Sequence, residues 1–304
     1  FANRMEIHTN GSCPLCGGRH QSEYAYCTDN VISGESFSLL ECKDCGLVYT
    51  ANAPSDIAAA GYERLQQKLQ LGESPKGVTN LLYYAAREIM LRRKYRLIKR
   101  LSYRKRGTLL NYGAKTGFFS DYMIRKNWSV TSVEKFHQER QFALELFHHR
   151  MIDVTEMEYL KENSFDVVTM WHVLEHNNNP DALLKRFHEI LKPDGIVVMA
   201  LPNINSTDAK HYKSNWAGYN VPRHLWHFKP SVIARVAKEN GFILMHRERM
   251  FFDSFYISIL SEREMGHRFA FIRGFFVGLR SWWVSLANKD KCSSLIYAFR
   301  KQTF

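Results

Sequence analysis

Residues 108–134 constrain the fold more tightly than any other stretch of this chain. An apolar run at Leu109 and Leu110 enters a turn carrying Gly113 and Gly117. A helical stretch follows, and a second apolar run stops on Glu134, seventeen residues beyond Gly117. Strand, glycine turn, helix, strand and terminal acid in that order describe the edge of an open α/β sheet. The glycines let the backbone approach a ligand without a Cβ in the way, and an acid ending the second strand can accept from both hydroxyls of a ribose. The unit is therefore read as a pocket for an adenosine-like ligand.

Downstream, residues 164–176 read Ser-Phe-Asp-Val-Val-Thr-Met-Trp-His-Val-Leu-Glu-His. They lead to Leu191-Lys192-Pro193-Asp194-Gly195 and an apolar run that ends Leu201-Pro202-Asn203. In this order the motifs closely resemble the class I S-adenosylmethionine-dependent methyltransferases, and among them the small-molecule branch that contains the ubiquinone-biosynthesis O-methyltransferases. The resemblance covers residues 105–250 and the last strand. It implies a Rossmann-like seven-stranded sheet with S-adenosylmethionine over the carboxyl ends of the first strands. The implied reaction is methyl transfer to a small or lipid-like acceptor at oxygen, with an RNA-modifying enzyme or an inactive partner-binding scaffold as the rivals.

The same resemblance distributes roles. Gly113 and Gly117 fall in the cofactor loop, Glu134 at the ribose, Asp153 at the adenine amino group and Trp171 at the methyl-transfer chamber. Two positions depart from the family pattern: Asn111 stands where an acid is usual, and Lys115 replaces the middle glycine. Asn111 can still accept a hydrogen bond, and Lys115 can pair with the cofactor carboxylate. His172, Glu175 and His176, at i, i+3 and i+4, share one side of any helical turn. They are similar to a Glu-x-x-Glu-His set that binds a divalent metal near the acceptor oxygen in ubiquinone-type enzymes, with His172 in place of the first glutamate. His224 and His227 are further candidates to complete that site or to act as bases, because a histidine near neutrality can remove a hydroxyl proton.

Cys13-Pro14-Leu15-Cys16-Gly17 and Cys42-Lys43-Asp44-Cys45-Gly46 are two Cys-x-x-Cys-Gly knuckles with 25 residues between them. That spacing turns both thiolates of each knuckle toward one ion, so Cys13, Cys16, Cys42 and Cys45 form a closed tetrahedral set. Such a set suits a structural zinc with no open coordination position. Strands are expected at 24–27 and 37–40 around a turn at Ser33-Gly34-Glu35. Cys27 and Cys292 read as ordinary free thiols.

The expected organisation is a ribbon over 1–50, a linker and helical segment over 51–107, and the methyltransferase domain over 108–304. Met5 reads as a natural start, and helices are expected at 62–71 and 78–101, the latter with a stripe through Leu82, Ala85, Ile89, Arg93, Leu97 and Leu101. Tyr83 and Tyr84 on that helix are pocket candidates. His211, Tyr212, Trp216 and Tyr219 lie in the long connection after Asn203, where substrate selection is expected.

The seventh-strand hairpin is interrupted by a helical insertion, 253–291, rich in Phe and Trp and punctuated by Arg268, Arg273, Arg280 and Lys289. This pattern suits a cover over a greasy substrate or a peripheral contact with an anionic membrane. The excess of 42 basic over 30 acidic residues, net +12, favours an anionic partner of some kind. The ribbon itself is not notably basic and the aromatics do not interleave with the basic run 87–106, so nucleic acid is the weaker choice. With no secretory leader and no apolar run of membrane-spanning length, the expected location is cytoplasmic.

Overall fold

A computed structural model describes residues 11–53 and 78–302. Met5, the helix expected at 62–71, most of the linker and the Tyr83 side chain lie outside the described residues.

The central sheet has six strands: β4 (Thr108–Tyr112), β5 (Ser129–Val133), β6 (Phe165–Trp171), β7 (Leu191–Pro202), β9 (Phe242–Arg249) and β10 (Ser294–Lys301), in the order β5-β4-β6-β7-β10-β9. Pairing is parallel from β5 to β7, and β10 runs antiparallel to both its neighbours. All seven residues of β6 are buried, as a central strand covered on both faces requires. In place of the seventh strand that the resemblance implies, the described residues show one parallel bridge, Val133 to Ile152. The chain leaves β4 toward β5 on one side and returns as β6 on the other. The crevice between the carboxyl ends of β4 and β6 is thus the topological switch point, where open α/β sheets bind ligands.

The helices follow the sequence closely. They are α1 (Val78–Ser102), α2 (Phe118–Arg125), α3 (His137–Phe147), α4 (Pro180–Ile190), α5 (Thr207–Tyr212), α6 (Pro230–Glu239), α7 (Asp253–Glu264) and α8 (Ala270–Ala287). Pro180 and Pro230 open α4 and α6 in the first turn, where a missing N–H costs nothing, and the Asn179 side chain caps α4 by accepting from Ala182 N at 3.0 Å. On α1 the buried stripe differs from the expected one. Leu91, Leu97 and Ile98 pack against Leu109, Met123 and Val167, whereas Ile89 is exposed. Leu97 and Leu101 of the expected stripe do pack on the core and Leu91 and Ile98 join them; the apolar residues are too sparse for their spacing alone to fix the inward face.

The ribbon strands β1 (Gln21–Thr28), β2 (Ser36–Cys42) and β3 (Val48–Thr50) do not form a separate sheet. Their fourth strand is β8 (Trp226–His227), supplied by the connection between β7 and α6. Cys13, Cys42, Cys45, Leu47 and Tyr49 share one core with Leu110, Val168, Leu225 and Val232. Asp29, fully buried, meets the buried Arg223 guanidinium at 3.4 Å. The boundary near residue 50 is therefore one of sequence composition, while the packing crosses it.

Candidate active site

Gly113 ends β4 at φ 68°, and a Cβ there would lie 2.5 Å from Val173 Cγ2; Gly117 starts α2 at φ 84°, with Met151 Cε 2.7 Å from its would-be Cβ. Both glycines are demanded by backbone conformation and by close packing at once. Between them Lys115 is exposed, also with positive φ, and its backbone N–H donates to Glu134 Oε2 at 2.7 Å. Phe136 N–H donates to the other oxygen at 3.1 Å. Two amides thus hold the buried Glu134 carboxylate at the end of β5, and each oxygen keeps acceptor capacity for a ligand hydroxyl.

Asn111 is placed differently from its expected role. Its amide donates to Ser120 Oγ at 2.9 Å and its carbonyl accepts from Thr169 Oγ1 at 3.0 Å, with Ser132 and His149 continuing the network. At this fully buried position a neutral amide serves a chain of hydroxyls that would desolvate a charged acid. Asp153 is likewise occupied: it caps the turn 154–159 through Thr155 N and meets Arg140 Nη1 at 2.6 Å. Burial would raise its pKa, but these partners hold it below the usual carboxylate value.

Trp171 ends β6, buried, with an indole N–H that reaches no acceptor. Phe119 packs edge-on to it at 5.5 Å, and Lys94 from α1 places its Nζ 4.0 Å from the ring centroid. Burial pushes the Lys94 amine down to about 7; Asp253 opposes that shift and Lys115 adds to it. The sequence offered no signal for Lys94 beyond its membership of the basic run.

Immediately after β6 the chain turns sharply through His172, which has φ 56°. Its Nε2 lies 3.2 Å from Asp253 Oδ2, and its Nδ1 lies 3.4 Å from Glu175 Oε1. Burial alone would lower the imidazole pKa, but the flanking carboxylates raise it to about 9. At neutral pH this ring is an imidazolium, a clamp between the β6 loop and the first residue of α7, and it has no lone pair with which to act as a base. Asp253 is the partner the sequence did not single out, although it opens the expected insertion helix.

The residues that do converge are Glu175, His176 and His224, whose ligand atoms lie within 4.8 Å of one another. Glu175 is fully buried, and among the described residues its carboxylate receives no hydrogen bond, its charged neighbour being His172 Nδ1 at 3.4 Å. His176 Nδ1 lies 2.9 Å from Arg223 O, and His224 Nδ1 lies 3.0 Å from Gly218 O. A carbonyl can only accept, so both rings carry a proton on Nδ1, the arrangement by which outer partners orient metal-binding imidazoles. Burial first, then the neighbouring histidines, holds His224 well below its ordinary pKa, so it is neutral. A donor set of two imidazoles and one buried carboxylate fits a divalent cation.

His227 stands apart from this group. It lies 3.0 Å from Thr50 Oγ1, and burial pushes its pKa down to about 3, so it serves the joint with the ribbon. The ribbon reaches the site through the same joint: Thr50 N donates to Leu225 O at 3.0 Å, and Leu225 N donates to Glu175 O at 2.8 Å.

The expected substrate-selecting loop is mostly interior. Trp216 is buried and donates to Asp208 Oδ2 at 2.8 Å, Tyr212 donates to Glu262 Oε1 at 3.1 Å, and Tyr219 packs with both the ribbon and Trp216. Only His211 is exposed, and Tyr84, the pocket candidate on α1, is exposed as well.

In the ribbon, Cys13 and Cys45 Sγ are 3.6 Å apart, as are Cys16 and Cys42. These separations exceed a disulfide's ~2.05 Å and match the edge of a tetrahedron with metal–sulfur bonds of about 2.3 Å. The four cysteines therefore fit one four-thiolate metal centre.

A Rossmann-like sheet with an acid at the end of its second strand and a polar cluster at its switch point defines a nucleotide-type cofactor fold. Residues 84–246, more than half of the chain, match the family described as a methyltransferase domain, and the chain belongs to that family. Among curated relatives, the ubiquinone biosynthesis O-methyltransferase of Pseudomonas paraeruginosa is 30% identical over 108 residues, 32% of this chain and 45% of that protein. The enzyme of the same name from Idiomarina loihiensis is 28% identical over 141 residues, 42% of this chain and 58% of that protein. The chain thus spans about half the length of these relatives. Among solved structures, the Burkholderia thailandensis 1,6-didemethyltoxoflavin-N1-methyltransferase superposes with a TM-score of 0.48 at 16% identity, covering 86% of this chain and 98% of that one. Among the described residues no helix is long and apolar enough to cross a membrane.

Proposed function

We propose that the chain is an S-adenosylmethionine-dependent methyltransferase acting on an oxygen of a small or lipid-like acceptor, with a divalent cation at Glu175, His176 and His224 and a structural zinc in the ribbon. The observation that carries the acceptor side is convergence: ligand atoms of Glu175, His176 and His224 lie within 4.8 Å of one another, with the Glu175 carboxylate fully buried. The His172 imidazolium, 3.4 Å from Glu175, offsets part of that buried charge, and a divalent cation would offset it further. This set replaces the one expected from the sequence, with His224 taking the place of His172.

S-adenosylmethionine, when bound, supplies the electrophilic methyl group. Glu134 accepts from the ribose hydroxyls, Lys115 and Lys94 supply positive charge for the carboxylate end, and Trp171 walls the chamber and excludes water. The divalent cation, when bound, lowers the pKa of an acceptor hydroxyl. Glu175, His176 and His224 hold the position of that oxygen, while the His172–Asp253 ion pair keeps the loop bearing Glu175 in place.

Manganese titration followed by electron paramagnetic resonance tests the reading, with the ribbon already metallated. One site per chain in the wild type, lost in Glu175→Gln with S-adenosylmethionine affinity retained, supports it. Equal manganese binding by the two proteins refutes the cation site.

A further inference from the structure

Helix α8 is packed the wrong way round for a surface helix. Ala270, Gly274, Gly278, Ser281 and Ser285 form its buried face. A Cβ on Gly274 would sit 2.4 Å from Ile259 Cα, and one on Gly278 would sit 2.7 Å from Phe255 Cα, so α7 and α8 touch backbone to backbone. The large side chains point out instead. Phe271 is 65% exposed, Ile272 55%, Phe276 63% and Trp283 68%, with Phe275 at 41% and Leu286 at 48%. At 100° per residue these positions fill one continuous arc of about 140°. The helix is roughly 27 Å long at 1.5 Å per residue. Single exposed apolar residues need no explanation, but a continuous aromatic stripe of this extent marks an interaction surface.

Charge selects the occupant. No carboxylate lies on α8; Arg280 borders one flank of the arc and Arg268 its amino end, while Arg273 on the same flank is paired with Glu262 of α7 at 2.8 Å. Beside the helix, Arg93, Glu248, Arg249, Phe251 and Trp282 line a cleft of about 150 Å³. Glu248 is already paired with Arg100 at 2.9 Å, whereas the buried Nη1 of Arg249 reaches no acceptor. An apolar stripe bounded by arginines, next to a cleft with an unsatisfied guanidinium, is complementary to a surface that is greasy inside and anionic at its rim.

We propose that α8 seats the protein on an anionic lipid bilayer, its axis in the membrane plane, with Phe271, Ile272, Phe275, Phe276 and Trp283 among the acyl chains and a lipid phosphate at the Arg93–Arg249 cleft. Apolar burial and attraction to anionic headgroups act together in such a helix. Because α7 and α8 form one hairpin and Asp253 meets His172, docking would hold the catalytic crevice beside the lipid. The proposal stands independently of which acceptor is methylated.

Co-sedimentation of the full zinc-loaded chain with vesicles tests it, using phosphatidylcholine alone and phosphatidylcholine mixed equally with phosphatidylglycerol. The expected result is binding to the mixed vesicles that weakens with salt and a blue shift of tryptophan emission. Phe276→Gln/Trp283→Gln should bind about a hundredfold more weakly, about tenfold for each aromatic removed from the bilayer. Arg249→Gln should lose the preference for phosphatidylglycerol, and unchanged circular dichroism of both variants shows that the fold is intact. No sedimentation with either vesicle overturns the proposal. So does a wild-type dimer that Phe276→Gln/Trp283→Gln converts to monomer, since the stripe would then be a subunit interface.

Discussion

Replacing Asp29 by alanine should destabilise the whole protein, although Asp29 lies in the ribbon. Its carboxylate accepts from the backbone of Val31, Ile32 and Ser33 and from Ser33 Oγ, at 3.1–3.2 Å, and faces Arg223 Nη1 at 3.4 Å. Arg223 is 5% exposed; it also meets Asn220 Oδ1 at 2.8 Å, and its charge acts on the Glu264 carboxyl, which burial keeps largely protonated up to about pH 7. Water can replace the turn contacts, but the guanidinium is left charged in the interior. Removing one member of a buried pair costs about 3–5 kcal/mol, about a fifth or more of the typical ~5–15 kcal/mol stability of a folded protein. All six tryptophans lie between Trp128 and Trp283, beyond residues 1–50, and all but Trp226 stand outside the ribbon sheet, so urea unfolding can be followed by their fluorescence while a chromophoric chelator reports the ribbon metal. Both transitions should coincide in the wild type and move together in Asp29→Ala. A shift in metal release with the tryptophan transition unmoved would refute the shared core and restore an independent ribbon.

Two further outcomes are expected. Gly113→Ala adds a Cβ 2.5 Å from Val173 Cγ2 at a residue with positive φ, so calorimetric S-adenosylmethionine affinity should fall at least about tenfold with the loop displaced; unchanged affinity would mean the loop does not meet the cofactor. Burial raises the Glu264 pKa to about 7, against the pull of Arg223 and with Asp29 adding to it. The unfolded carboxyl releases its proton near its ordinary value while the folded one keeps it, so stability should fall as pH rises from about 4.5 to about 7, by at most about 3 kcal/mol. Thermal scans across that window should show a shallower fall in Glu264→Gln; parallel curves would remove Glu264 from the pH dependence.

Much of the fold was legible because the chain is locally consistent: apolar runs of strand length alternate with helical stretches, and Pro180, Pro230 and Gly241 punctuate them at the ends the structure uses. The four cysteines were equally legible, since a Cys-x-x-Cys spacing constrains geometry by itself. The joint between ribbon and domain was not. β8 is two residues long, and nothing local in Trp226-His227 announces that it completes a distant sheet. The catalytic corner was half legible. His172, Glu175 and His176 read as one group because of their spacing, but the pairing of His172 with Asp253 comes from a contact across some eighty residues. That contact makes His172 the partner of two carboxylates, whereas His224, far along the chain, is the residue whose ring nitrogen lies with Glu175 and His176. Asn111 misled for a related reason: the motif marks the position, whereas its hydrogen bonds are set by Ser120 and Thr169 from two other elements.

Isothermal titration of the zinc-loaded chain with S-adenosylmethionine tests the central claim most directly. The account predicts saturable binding at one site per chain, with Glu134→Ala weakening it about tenfold or more, since hydrogen bonds to a charged group contribute about 1.5–3 kcal/mol each. No heat at high protein concentration, together with no thermal protection by the cofactor, would contradict it.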